Sequence, residues 1–132
     1  MNRLSARLVS LVLVAMVAIL VAGCGGSSAT SAVTKVDAAK AVAMLGSRTV
    51  IDVRTPAEYA AGHIAGARNI DVEAADFGSK IASLDKKAPY LVYCHSGRRS
   101  GIAASQMTSA GFTDIVDGGA LADMVAAGAP TQ

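Results

Sequence analysis

A cysteine followed by a glycine and two arginines is the part of this chain best suited to chemistry. Residues 90–101 read Tyr-Leu-Val-Tyr-Cys-His-Ser-Gly-Arg-Arg-Ser-Gly. The apolar run 90–93 has the length and content of a buried strand, and it stops at Cys94. His95, Ser96 and Gly97 make a small polar loop, and Arg98 and Arg99 add positive charge to it. Ser100 is a helix N-cap by residue type, and residues 101–110 read as the helix that follows. In an open α/β sheet, ligands bind outside the carboxyl ends of the strands. The N–H groups of a loop and of a first helical turn have no partners within the helix, so they can converge on an anion. A sulfur in such surroundings is favoured as thiolate, its nucleophilic form. A lone cysteine is most often core filler. The combination of strand, Cys, Gly, two Arg and helix points instead to an anion-stabilising cradle around one reactive sulfur.

The elements that must position this loop come from the residues around it. Residues 33–132 suffice for one domain, and short apolar runs alternate there with helix-like segments. That pattern predicts an α/β fold with a central, mostly parallel five-stranded sheet flanked by helices. Residues 33–36 read as a weak edge strand, and Asp37 as the N-cap of a helix over 38–45 whose Val42 and Leu45 face the core. Residues 49–54, Thr-Val-Ile-Asp-Val-Arg, read as a central strand. Thr55-Pro56-Ala57-Glu58 is a capping box with Pro at the first helical position. A Gly-rich turn, 62–67, leads into another short strand. Residues 77–84 form a helix with Phe77, Ile81 and Leu84 on one face. After the helix over 101–110, Gly111 fits a C-terminal stop with Phe112 packing back. Residues 114–117 are the last strand, and Gly118 and Gly119 are expected to turn into a final helix, 120–127.

The loop Cys94-His95-Ser96-Gly97-Arg98-Arg99, followed by Ser100, resembles the active-site loop of the rhodanese family, C-x-x-G-x-R followed by Ser or Thr. The resemblance extends well beyond the loop. Asp52-Val53-Arg54, Glu58-Tyr59, Gly62-His63-Ile64, Gly66-Ala67 and Asn69-Ile70 follow the family string D-x-R, E-[YF], G-H-I-x-G-A, N-[IL]. The tail resembles G-G…W…G-x-P, with Met124 where a Trp usually packs. The resemblance covers about residues 33–130. It implies a rhodanese-like domain and a sulfurtransferase whose Cys94 carries sulfane sulfur as a persulfide, in a loop formed by His95, Ser96, Gly97, Arg98, Arg99 and Ser100. Arg98 or Arg99 would bind the donor's anionic head, with Arg99 at the family's last loop position. Asp52 and Arg54 are expected to support the loop. Asp52 lies at the carboxyl end of its strand, where it would hold an arginine of the loop or its surroundings by a charge-assisted bond. His63, inside a Gly-rich turn, is read as satisfying nearby backbone groups rather than as a base for Cys94.

Residues 1–23 read as a bacterial lipoprotein signal peptide. Arg3 and Arg7 form a positive n-region, and an apolar run over 8–22 is shorter than the roughly 20 residues needed to span a bilayer. Val21-Ala22-Gly23-Cys24 resembles a lipobox, which implies cleavage before Cys24 and lipid on it. Residues 24–32 then form a lipidated, Gly- and Ser-rich tether, and 33–132 the rhodanese-like domain. The expected location is outside the cytoplasm, lipid-anchored to a bacterial cell membrane. The net charge of +2 comes from Arg3 and Arg7. From Cys24 onward ten basic residues face ten acidic ones, so charge gives no argument for nucleic acid. With Cys24 lipidated, Cys94 is the single remaining thiol and no internal disulfide forms.

The implied reaction needs a small sulfur donor such as thiosulfate, a thiol or cyanide-like acceptor, and no metal or organic cofactor. A monomer is expected. A sulfur carrier or redox sensor working through Cys94 without turnover is the alternative from a different class. A cysteine phosphatase or arsenate reductase fits less well. Those enzymes use Cys-x5-Arg, and the residue six past Cys94 is Ser100.

Overall fold

The computed structural model describes residues 33–132. The proposed signal peptide and Cys24 lie outside the described residues. The strands are β1 (Val33–Lys35), β2 (Thr49–Asp52), β3 (Arg68–Asn69), β4 (Tyr90–Cys94) and β5 (Ile115–Ala120). The α-helices are α1 (Ala38–Ala43), α2 (Pro56–Ala60), α3 (Phe77–Ala82), α4 (Arg98–Ser109) and α5 (Leu121–Ala126). The strands form a five-stranded sheet in the order β1-β5-β4-β2-β3, and every pairing is parallel. This is the α/β architecture expected from the sequence. It places β4 in the middle, between β5 and β2, so that Cys94 emerges at the centre of the carboxyl edge.

Helices cover both faces of the sheet, and β4 is buried along its whole length. Its alternate residues serve opposite faces, as the two-residue period requires. Val92 and Cys94 pack with Ile51, Val53, Ala103, Ala104 and Met107 on the face that carries α4. Leu91 and Tyr93 pack with Val50, Ile64, Val116 and Met124 on the other. Met124, in the place of the family's Trp, is fully buried.

Local signals explain most boundaries. Asp37 caps α1, its Oδ1 accepting Lys40 N–H at 2.9 Å, and a short 3₁₀ turn, Leu45–Ser47, follows. Both halves of the Thr55/Glu58 capping box form. Gly111, at φ 97°, ends α4. Its N–H bonds Thr108 O while that of Phe112 bonds Met107 O, a Schellman closure.

Two expectations are corrected. Helix α4 begins at Arg98 rather than after Ser100, because Gly97 at φ 87° takes the N-cap position. Ser100 therefore sits inside the first turn, with its hydroxyl donating to Gly97 O at 3.0 Å. Gly118 and Gly119 do not form a turn. They lie within β5, where Val92 pairs with Asp117 but Tyr93 pairs with Gly119. Gly118 is thus the extra residue of a bulge. A Cβ on it would lie 3.0 Å from Leu91 Cδ2 and 3.3 Å from Met124 Sδ, so a side chain there would press on β4 and α5 and force both neighbours to shift.

Candidate active site

Cys94 is the last residue of β4, and its side chain is fully buried against the first turn of α4. The Gly97 N–H points at its Sγ from 3.0 Å. The thiol in turn reaches Ser100 Oγ at 3.8 Å. Gly97 makes this possible, since the αL backbone that swings its N–H back over the strand end is open to glycine at little cost. Of the loop amides expected to converge on the sulfur, Gly97 is the donor among the described residues. His95 and Ser96 are exposed at the crest of the loop.

The two loop arginines differ sharply. Arg99 is committed to carboxylates: its Nη2 and Nη1 donate to Glu58 at 2.6 and 2.8 Å, and Nη1 also to Glu73 at 3.3 Å. The Glu58 bond holds the Arg99 guanidinium well above its ordinary pKa range. The same bond lowers the Glu58 carboxyl from 4.5 to about 2. Arg98 is exposed, and no ion pair engages it among the described residues. Of the two loop arginines, Arg98 is therefore the one without an ion pair among the described residues. Arg99 ties the first turn of α4 to the capping box of α2.

Asp52, fully buried, holds an arginine of the surroundings rather than of the loop. Arg54 Nε lies 3.0 Å from each of its carboxylate oxygens and Nη2 lies 2.6 Å from Oδ2. Arg54 Nη2 also donates to Gly62 O at 2.7 Å, which fixes the Gly-rich turn. Tyr93 completes the cluster. Its hydroxyl donates to Asp52 Oδ2 at 2.8 Å and accepts Ile64 N–H at 3.0 Å. Burial pushes that hydroxyl far above its usual pKa range, so it remains a donor. Asn69 Nδ2 clamps the end of β2 by donating to Asp52 O and Arg54 O, at 3.1 and 2.8 Å.

His63 satisfies backbone, as read from the sequence. Its Nδ1 lies 2.9 Å from Tyr59 O, its Nε2 lies 3.1 Å from Gln132 Nε2, and its ring stacks on Tyr59 at 3.5 Å. Among the described residues, no three His, Cys, Asp or Glu side chains cluster as a metal site would require.

Sequence reasoning misses three residues of this arrangement. By pattern alone Glu58 is only a cap, Glu73 part of a polar loop and Tyr93 strand filler. A signal exists for Tyr93, because the strand period places it on the opposite face from Cys94, where the end of β2 needs a buried polar partner. The reach of Glu58 to Arg99 spans 41 positions and leaves no local signature.

A buried cysteine at the carboxyl end of a central parallel strand, followed by a short loop into a helix, is the arrangement expected of a rhodanese-like domain. That family matches residues 36–122, and the chain belongs to it. Among curated relatives it is similar to the thiosulfate sulfurtransferase GlpE of Pseudomonas putida, 47% identical over 73 residues. It is also similar to GlpE of Pseudomonas fluorescens, 45% identical over 73 residues. In both cases the match covers 53% of this chain and 64% of the relative's length. Among solved structures it resembles the rhodanese-like domain of the Anabaena sp. Alr3790 protein, with a TM-score of 0.67 and 31% identity over 74% of this chain and 77% of that one. A structure described as rhodanese with anions, from E. coli, matches with a TM-score of 0.55 and 33% identity, covering 64% of this chain and 96% of that one.

Proposed function

We propose that this protein is a sulfurtransferase that carries sulfane sulfur on Cys94. The Cys94 thiolate attacks the outer sulfur of a donor such as thiosulfate. A new S–S bond forms, the S–S bond of the donor breaks, and sulfite leaves with the electron pair of that bond. The persulfide then gives its terminal sulfur to a thiophilic acceptor and Cys94 returns as thiolate. Splitting the transfer into two displacements is nucleophilic catalysis. The supporting observation is the Gly97 N–H aimed at Cys94 Sγ from 3.0 Å, a preorganised donor for negative charge on sulfur. The similarity to thiosulfate sulfurtransferases, partial in length, points the same way. Arg98 is the group suited to the donor's sulfonate end, since Arg99 is already paired.

The test is intact mass of the reduced protein after thiosulfate, then thiocyanate release on adding cyanide. The expected result is a gain of one sulfur atom and thiocyanate formation, both abolished in Cys94→Ser. Sulfur uptake without transfer to cyanide or to any thiol would favour a carrier or sensor instead. The sequence of residues 1–24 adds a second part to the reading, attachment to the outer side of a cell membrane through lipid on Cys24. Cys24→Ser is expected to move the protein from the membrane fraction to the soluble one, and an unchanged distribution would reject the anchor.

A further inference from the structure

Asp117, near the carboxyl end of β5, is 4% exposed, and no cation pairs with it among the described residues. A buried carboxylate without a counter-ion is costly, so its two neighbours matter. Oδ1 accepts the Gly119 N–H at 3.0 Å, an Asx-type turn closed by the side chain. Oδ2 faces the first turn of α4, 3.7 Å from where a Cβ on Gly101 would lie.

From Asp117 a short series of contacts leads to the sulfur. The Asx-type turn spans the bulge at Gly118 and holds Gly119 at φ 80°. The loop backbone rests on Gly119, with a Cβ placed on Gly97 coming within 3.5 Å of Gly119 Cα. Gly97 is the residue whose N–H points at Cys94 Sγ. We propose that Asp117 is a positioning residue of the sulfur site, its carboxylate fixing the bulge at Gly118 and Gly119 as the floor from which Gly97 aims its N–H at Cys94. This rests on the reading of Cys94 as the sulfur-carrying nucleophile, and it adds a residue that the loop alone does not contain.

The test uses the full chain, reduced and ¹⁵N-labelled, and follows the Gly97 and Gly119 amide signals together with the rate of sulfur loading by thiosulfate. Asp117→Ala is expected to shift both signals and to slow loading about tenfold, since small misplacements in a preorganised site are expensive. Asp117→Asn keeps an acceptor for Gly119 and is expected to restore both. An unmoved Gly97 signal with undiminished loading in Asp117→Ala would overturn the proposal, leaving Asp117 a local turn former. Equal loss in the Asn variant would overturn it too, because charge rather than the acceptor would then be responsible. Should Asp117→Ala not fold, Gly119→Ala decides. Nothing lies within 4 Å of a Cβ there, so it disturbs only the backbone, and it must reproduce the paired loss or the proposal falls. If the wild type takes no sulfur from thiosulfate, the sulfurtransferase reading fails separately. The amide signals and the rate of Cys94 alkylation by iodoacetamide then decide the role of Asp117.

Discussion

Arg54 and Arg99 are each held by a carboxylate, and the two pairs do different work. The Asp52–Arg54 side chains are 0% and 5% exposed, at the end of β2. The Glu58–Arg99 side chains are 32% and 14% exposed, where α2 meets α4. The first pair is local in sequence and sealed under Tyr93 and the Gly62 turn. The second joins distant segments at the rim of the loop. A sealed pair is strongly coupled to the fold, because removing one partner strands the other charge. A half-exposed pair shares its charge with water and adds little to stability, so its value is in where it holds the loop.

The largest expected effect breaks the sealed pair. Asp52→Ala leaves the Arg54 guanidinium with the Gly62 carbonyl and the Tyr93 ring, whose centroid lies 5.9 Å from Cζ. Denaturant unfolding is expected to show a loss of about 3–5 kcal/mol. A loss below about 1 kcal/mol, the range of an exposed pair, would erase the distinction.

The half-exposed pair should respond to pH and salt. Glu58 titrates at about 2 in the fold, lowered from 4.5 first by its bond to Arg99. A depressed carboxyl pKa stabilises the fold fully above the unfolded value, and this is lost as pH falls through the folded one. The contribution of Glu58 is therefore complete above about pH 5 and fades toward pH 2. Allowing for solvent screening, it amounts to about 1 kcal/mol. Unfolding of wild type and Glu58→Gln compared at about pH 6 and about pH 2.5 should show a gap that closes at the lower pH. At neutral pH, added salt should narrow it as well. A gap independent of both would mean that the Glu58→Gln substitution costs stability through the capping box, not through Arg99.

The sequence makes these two regions unequally legible. The sheet, the helix order and the strand–loop–helix handover at Cys94 follow from periodicity, caps and glycines, all of them local properties. Asp52 and Arg54 are visible because they are close in sequence at the end of one strand. The start of α4 is hidden because Ser100 looks like a cap, whereas the positive φ of Gly97 exists only once the loop folds against Gly119. The bulge at Gly118 is hidden for a similar reason: two glycines signal a turn locally, but close packing against Leu91 and Met124 also favours glycine. The roles of Arg98 and Arg99 depend on Glu58 and Glu73, which only the fold brings near.

Arg98 gives the comparison its third member, an arginine with no carboxylate at all among the described residues. It adjoins Gly97 in the segment after Cys94, it is exposed, and α4 has no acidic residue in its first turn. Arg98→Ala should leave stability within about 0.5 kcal/mol of wild type, as surface substitutions do. Its effect should appear in the donor instead. With thiosulfate, KM for sulfur loading rises while kcat changes little, the signature of a lost ground-state contact. With an alkyl persulfide, a donor without the sulfonate end, both change far less. High salt should reproduce part of the thiosulfate effect in the wild type, because an exposed cation acts through a screened field. Equal loss with both donors would mean that Arg98 shapes the loop, and the anion would then need another partner. No loss with either would return the donor's charge to Arg99, which would have to leave Glu58 to bind it.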